Sequence, residues 1–516
     1  MQSVTMKRIA LLLGATIAAP AQAASPRVTT HSGVVAGAQE NTVAVFRGIP
    51  YAAPPVGPLR WRPPMPAPGW AGVRSAARFG HSCWQAGSPQ GFGPWTHEYV
   101  VAGDISEDCL FLNVWTPLKK GKLRPVLVWI HGGGFNSGSG AIPIYHGAAL
   151  AARGAVVVTI NYRVGVFGFL AHPDLTREAG GAPPANFGLM DMVAALRWVK
   201  ANIAAFGGDP AAVTIAGQSA GAMAVQDLVS APMAKGLFQR AIGESGLPRA
   251  LTSLGDAEAQ GTAFAREKGA TSIAALRALP AEALQSSRGG NAVRFVPVAD
   301  GRLLPAGPWR AMSDVPMLVG FNNDEGSALG QDYGSTDPGK LQALLASAFG
   351  GSADQAAALY PAATPEQRAA ANKQIRRDQS LGAVDAWSLR RAATARMPVY
   401  TYLFTHVLPG VDTARWGAFH SSEIPYVFGT FAASPERPIT SADRDLSQVV
   451  SSYWLNFIRR GDPNGPGLPS WPASTATTPV ALHIDSRIRP EPLLPPAKLD
   501  LWRRVDGSAS AARSSG

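Results

Sequence analysis

Gly217-Gln218-Ser219-Ala220-Gly221 sets a serine between glycines two positions to either side. This spacing suits a hydroxyl held on a sharp strand-to-helix turn. The backbone there is strained, bulky neighbours clash, and the side chain is lifted towards the positive end of the following helix. Such a serine can attack a carbonyl carbon, provided that a base takes its proton. A bare G-x-S-x-G arises easily by chance in a chain with 55 glycines, so its setting carries the reading. Val213–Ala216 reads as a buried strand and Ala220–Val229 as a helix, which is the strand–turn–helix context required.

Attack on a carbonyl builds negative charge on its oxygen, which calls for fixed hydrogen-bond donors. His131-Gly132-Gly133-Gly134-Phe135 follows an apolar run ending at Ile130, and its three glycines leave backbone N–H groups bare. Gly133 and Gly134 are the expected oxyanion donors, with Ala220, the residue after the serine, as the third. His131 reads as support for this loop. Three histidines lie well beyond the serine. His483 sits in the alternating Val480–Ile484 and reads as a strand residue, and His406 directly follows a strand. His420, in a loop with small residues before it, is the leading base on position alone. An acid must orient that base. Asp324 and Glu325 follow the strand at Pro316–Gly320 and both qualify; position does not separate them. Asp300, before Gly301, reads as a turn residue.

The elements that must hold these residues are legible in the apolar pattern. Pro125–Ile130 and Ala155–Ile160 are continuous apolar runs, typical of strands covered on both faces. Val43–Phe46 and Val399–Phe404 are further strands. Leu189, Met192, Val193, Leu196, Val199 and Ile203 recur at helical spacing. Leu446–Ile458 reads as a C-terminal helix. Strands alternating with amphipathic helices predict an α/β fold with a mostly parallel central sheet flanked by helices. Ala-rich stretches near 251–311 and 330–397 read as helical insertions over the active site, within one domain spanning 25–516.

The composition, 46% hydrophobic and 16% charged, excludes disorder. The net charge of +11 is dispersed, with no basic run longer than two, so no nucleic-acid partner is expected. Lys7 and Arg8 precede the apolar Ile9–Ala19, then Pro20 and Ala21-Gln22-Ala23-Ala24. This describes a signal peptide over 1–24, cleaved near Ala23/Ala24, and a secreted or periplasmic product without membrane insertion. Cys83 and Cys109 are the only cysteines, so export predicts one disulfide between them.

Taken in order, these motifs resemble those of the type-B carboxylesterases, a family of α/β-hydrolase fold that includes para-nitrobenzyl esterases and cholinesterases. The resemblance rests on Phe46–Ala52, Leu59-Arg60-Trp61, Ser106–Leu110 with Asn113, the glycine loop, Asn186–Asp191, the serine elbow, Asn323–Gly326, and His420 with Glu423. It implies Glu325 as the acid, His420 as the base, Cys83–Cys109 as the family's first disulfide loop, and Ser245 as a neighbour of the site. It further implies a small-molecule ester substrate, hydrolysed through an acyl-enzyme without metal or cofactor, by a monomer or weak homodimer. Amide, carbamate or lactone hydrolysis is the alternative, and a non-catalytic binding protein a remote one. Gln218 departs from the family pattern, which has glutamate before the nucleophile. The segment between the cysteines does not clearly reproduce a choline-binding aromatic pattern, although Trp84 and Trp95 are candidates to line a gorge.

Overall fold

The computed structural model describes residues 25–285, 294–305, 312–393 and 395–514; the leader expected over 1–24 lies outside them. Eleven strands form the main sheet. They are β1 (Ala38–Glu40), β2 (Val43–Pro50), β3 (Phe111–Pro117), β4 (Arg124–Ile130), β5 (Val156–Ile160), β6 (Gly208–Gln218), β7 (Arg240–Glu244), β8 (Met317–Asn322), β9 (Val399–Phe404), β10 (Val480–Ile484) and β11 (Arg489–Pro492). Their spatial order is β11-β10-β9-β8-β7-β6-β4-β5-β3-β2-β1. Every pairing from β5 across to β10 is parallel. Antiparallel strands finish both edges.

The apolar runs are explained by cover on both faces. Successive strand side chains point to opposite sides. Val126, Val128 and Ile130 of β4 enter one core, while Leu127 and Trp129 enter the other. The first core receives α1 (Phe187–Asn202) and α2 (Ala220–Ser230). The second receives the later helix Ser441–Arg460 through Leu446, Val450, Trp454 and Phe457. The architecture is therefore the expected helix–sheet–helix sandwich.

The segments near 251–311 and 330–397 are largely helical where described, the first also carrying the paired strands Thr252–Ser253 and Val298–Ala299. The first contains α3 (Leu254–Glu267) and two short helices. The second contains α4 (Pro338–Phe349) and α5 (Pro365–Ala392). Ser441–Arg460, α6, is longer than its apolar stripe, because a Thr440/Asp443 capping box starts it a turn earlier. It is also not the last helix: the β10–β11 hairpin and α7 (Pro496–Ser514) follow. The prolines between Arg489 and Pro496 obscured α7 in the sequence.

Parallel register brings the carboxyl ends of the central strands level. Ile130 pairs with Gly217, Gln218 with Glu244, and Glu244 with Gly320. Loops leaving β4, β6 and β8 therefore meet at one edge, where ligands of open α/β sheets bind.

Candidate active site

Ser219 occupies the turn between β6 and α2 at φ 58°, ψ −124°, a conformation that side-chain-bearing residues rarely adopt. Its N–H donates to the Glu244 carbonyl at 2.8 Å, and its carbonyl accepts from the Met223 N–H at 2.9 Å, clamping the turn to β7 and α2. The flanking glycines are steric requirements. A Cβ on Gly217 would lie 2.6 Å from the Gly221 carbonyl carbon, and one on Gly221 would lie 2.1 Å from the Ile130 oxygen.

The glycine loop leaves β4 beside this turn. Gly133 (φ 103°) and Gly134 (φ 64°) take left-handed conformations. Gly133, Gly134, Ser219 and His420 line one cavity of about 660 Å³, whereas Ala220 is buried behind the serine. The N–H groups of Gly133, Gly134 and Ala220 make no hydrogen bond among the described residues. The loop is pinned from below. Gln85 accepts from the Gly138 N–H at 2.7 Å and donates to the Cys83 and Gly138 carbonyls. Asn161 accepts from Gly140 N–H and donates to the Cys109 carbonyl. His131 stacks on Tyr162 at 4.2 Å, and burial holds its ring down to about 4, so it is neutral and structural.

His420 Nδ1 is hydrogen-bonded to Glu325 Oε2. Glu325 Oε1 in turn accepts from the Asn322 N–H at 2.8 Å and from the Ser245 hydroxyl. Burial, the largest single influence, favours the neutral imidazole, but the charge and hydrogen bond of Glu325, with a smaller contribution from Glu423, together leave His420 above the ordinary histidine value. Asp324, which sequence position could not separate from Glu325, turns away. It accepts from the Ala418 N–H at 3.0 Å and from the Tyr333 hydroxyl at 2.6 Å, fastening the two loops together. His406 lies between Asp443 and Asp485, and His483 beside Glu491; neither lines the cavity.

Two features beside the site go further than the sequence reading, which had Glu423 only as part of a motif and Gln218 only as a departure from the family pattern. The carboxyls of Glu244 and Glu423 are fully buried behind the site, and desolvation pushes both well up. In addition, His420 Nε2 faces the Gln218 carboxamide nitrogen at 3.1 Å, while the Ser219 hydroxyl makes no hydrogen bond among the described residues. Trp95 lines the cavity and donates to the His420 carbonyl at 3.1 Å. Trp84 lies beside the Cys83–Cys109 disulfide, outside the cavity. Among the described residues, no helix is long and apolar enough to cross a membrane.

Comparison with known proteins gives a consistent picture. The pattern described as "Carboxylesterase family" matches residues 24–502. The chain is 40% identical over 489 residues to the fumonisin B1 esterase of Sphingopyxis macrogoltabida, covering 89% of this chain and 87% of that protein. It is 37% identical over 488 residues to the phenmedipham hydrolase of Pseudarthrobacter oxydans, covering 89% and 95%. A solved PNB esterase structure superposes with a TM-score of 0.77 at 34% identity, over 92% of this chain and 99% of that one.

Proposed function

The chain belongs to the carboxylesterase family and is a carboxylic ester hydrolase, and from that premise we propose that Ser219, His420 and Glu325 carry the reaction. His420 takes the Ser219 proton as the oxygen attacks the ester carbonyl. The N–H groups of Gly133, Gly134 and Ala220 hold the resulting oxyanion. The alcohol leaves with the proton from His420, giving an acyl-enzyme. Water, deprotonated by His420, then releases the acid and restores the serine. Glu325 fixes the imidazole tautomer and stabilises its charged form.

The supporting observation is that Glu325 bonds Nδ1 of a histidine lining the same cavity as a strained serine and unpaired glycine amides. Ser219→Ala should abolish hydrolysis of a short p-nitrophenyl ester; near-normal turnover would refute the assignment. Relatives named for fumonisin B1 and phenmedipham make those compounds the first to assay beside simple esters. The same residues would serve amides, carbamates and lactones, so matched ester and amide pairs belong in that panel.

We also propose export, with cleavage near Ala23/Ala24, to the periplasm or the medium. The charged, apolar and small-residue order of the leader supports this, as does the Cys83–Cys109 disulfide, a bond that persists in oxidising compartments. N-terminal sequencing of protein recovered outside the cytoplasm checks it; an intact Met1 there would count against cleavage.

A further inference from the structure

Gln218 is the last residue of β6 and is 2% exposed. Its carboxamide is wedged between the glycine loop and the imidazole. A Cβ on Gly132 would lie 3.0 Å from Gln218 Oε1, and Gln218 Nε2 is 3.1 Å from His420 Nε2. The other imidazole nitrogen is committed to Glu325. With the ring neutral and its proton on Nδ1, Nε2 carries only a lone pair. The amide N–H is therefore the group that donates, and Nε2 accepts. This is the lone pair that the reaction needs for the serine proton.

Resting on the Ser219–His420 reading above, we propose that Gln218 is a positioning residue whose N–H caps neutral His420 at Nε2, fixing the ring plane and holding down the proton affinity of the base. A hydrogen bond to the neutral form of a titrating group disfavours its charged form. The glutamate of the family pattern has no proton to give when ionised and favours only the imidazolium. Gln218 thus opposes Glu325, the carboxylate that draws a proton onto the ring. The other titratable or charged groups around His420 are Glu423 with Glu244 behind it, Asp324 on the fastened loop, and Arg294 on the cavity wall. None of them contacts Nε2 by a hydrogen bond. At rest Nε2 serves Gln218, and during attack it passes to Ser219.

The test is the pH profile of kcat/KM for a short p-nitrophenyl ester, using full mature enzyme with active sites counted by fluorophosphonate labelling. Gln218→Met removes the donor at nearly constant volume and should move the acid limb up by about half a unit to one unit. Gln218→Glu should move it up by roughly one unit more. A Gln218→Met limb that coincides with the parent's, or moves down, overturns the proposal. Should a variant fail to fold, 15N-histidine NMR of the parent above its acid limb decides. The His420 Nε2 resonance must report an accepted hydrogen bond, and a bare lone pair overturns the idea. Failure of the underlying reading looks different: Ser219→Ala would then keep its turnover and its labelling.

Discussion

At the scale of single residues, the proposed base His420 is useful only while neutral, so on that proposal the rate rises with pH as His420 loses its proton. Glu325 holds that proton affinity above the ordinary histidine value, which sets the acid limb of kcat/KM above about 6.5. Glu325→Gln removes the carboxylate that raises it. The acid limb should therefore move to lower pH, while the plateau falls by roughly 10³–10⁴-fold through loss of the oriented tautomer. A lowered plateau with an unmoved limb would show that Glu325 does not set the histidine's charge. The serine and the glycines were readable because their spacing is imposed by sterics within a few residues. Position left the choice between Asp324 and Glu325 open, since adjacent residues share a place along the chain, and only the family resemblance pointed to Glu325. In the structure the Ala418 N–H, distant in sequence, and the nearby Tyr333 hydroxyl show which carboxylate is occupied elsewhere.

At the scale of elements, β4, β6 and β8 bring the groups level, but the glycine loop after β4 has no ladder to stiffen it. Its rigidity is borrowed through Gln85 and Asn161, which tie residues 138–140 to the backbone at Cys83 and Cys109. Gln85→Ala deletes three buried hydrogen bonds and leaves the Gly138 N–H unpaired, a loss of about 1–3 kcal/mol for an orphaned buried group. We expect kcat to fall by roughly 10–100-fold with little change in KM, because misplacing the proposed oxyanion donors weakens the transition state more than the bound ester. A rise in KM alone would mean that Gln85 shapes the pocket instead. The long buried strands and α2 were legible from apolar runs. β7 was not: Arg240–Glu244 is short, holds a glycine and ends in a buried glutamate, so nothing in its pattern stands out. α7 was hidden likewise, its entry lying among prolines.

At the scale of the whole molecule, the Cys83–Cys109 bridge closes a loop that carries Gln85, Phe92, Trp95 and Tyr99 into the cavity wall. Chain-entropy reasoning assigns such a bridge about 3–4 kcal/mol. Against the unfolding entropy of a chain of 516 residues, that is a fall of only about 3–4 °C in Tm. None of the eleven strands lies in the loop, which with its cysteines gives the two cores few buried members, among them Cys83, Tyr99 and Cys109, and Ser219, Glu325 and His420 are carried by elements outside it. The consequences of losing the bridge should therefore be local. In a Cys83→Ser/Cys109→Ser variant we expect the small Tm loss, near-normal far-UV circular dichroism, and retained fluorophosphonate labelling of Ser219. KM should rise more for bulky esters, which need the Trp95 and Phe92 wall, than for a short p-nitrophenyl ester. A collapse in Tm of tens of degrees, or an equal rise in KM across ester sizes, would mean that the bridge holds the fold and not the wall of the site.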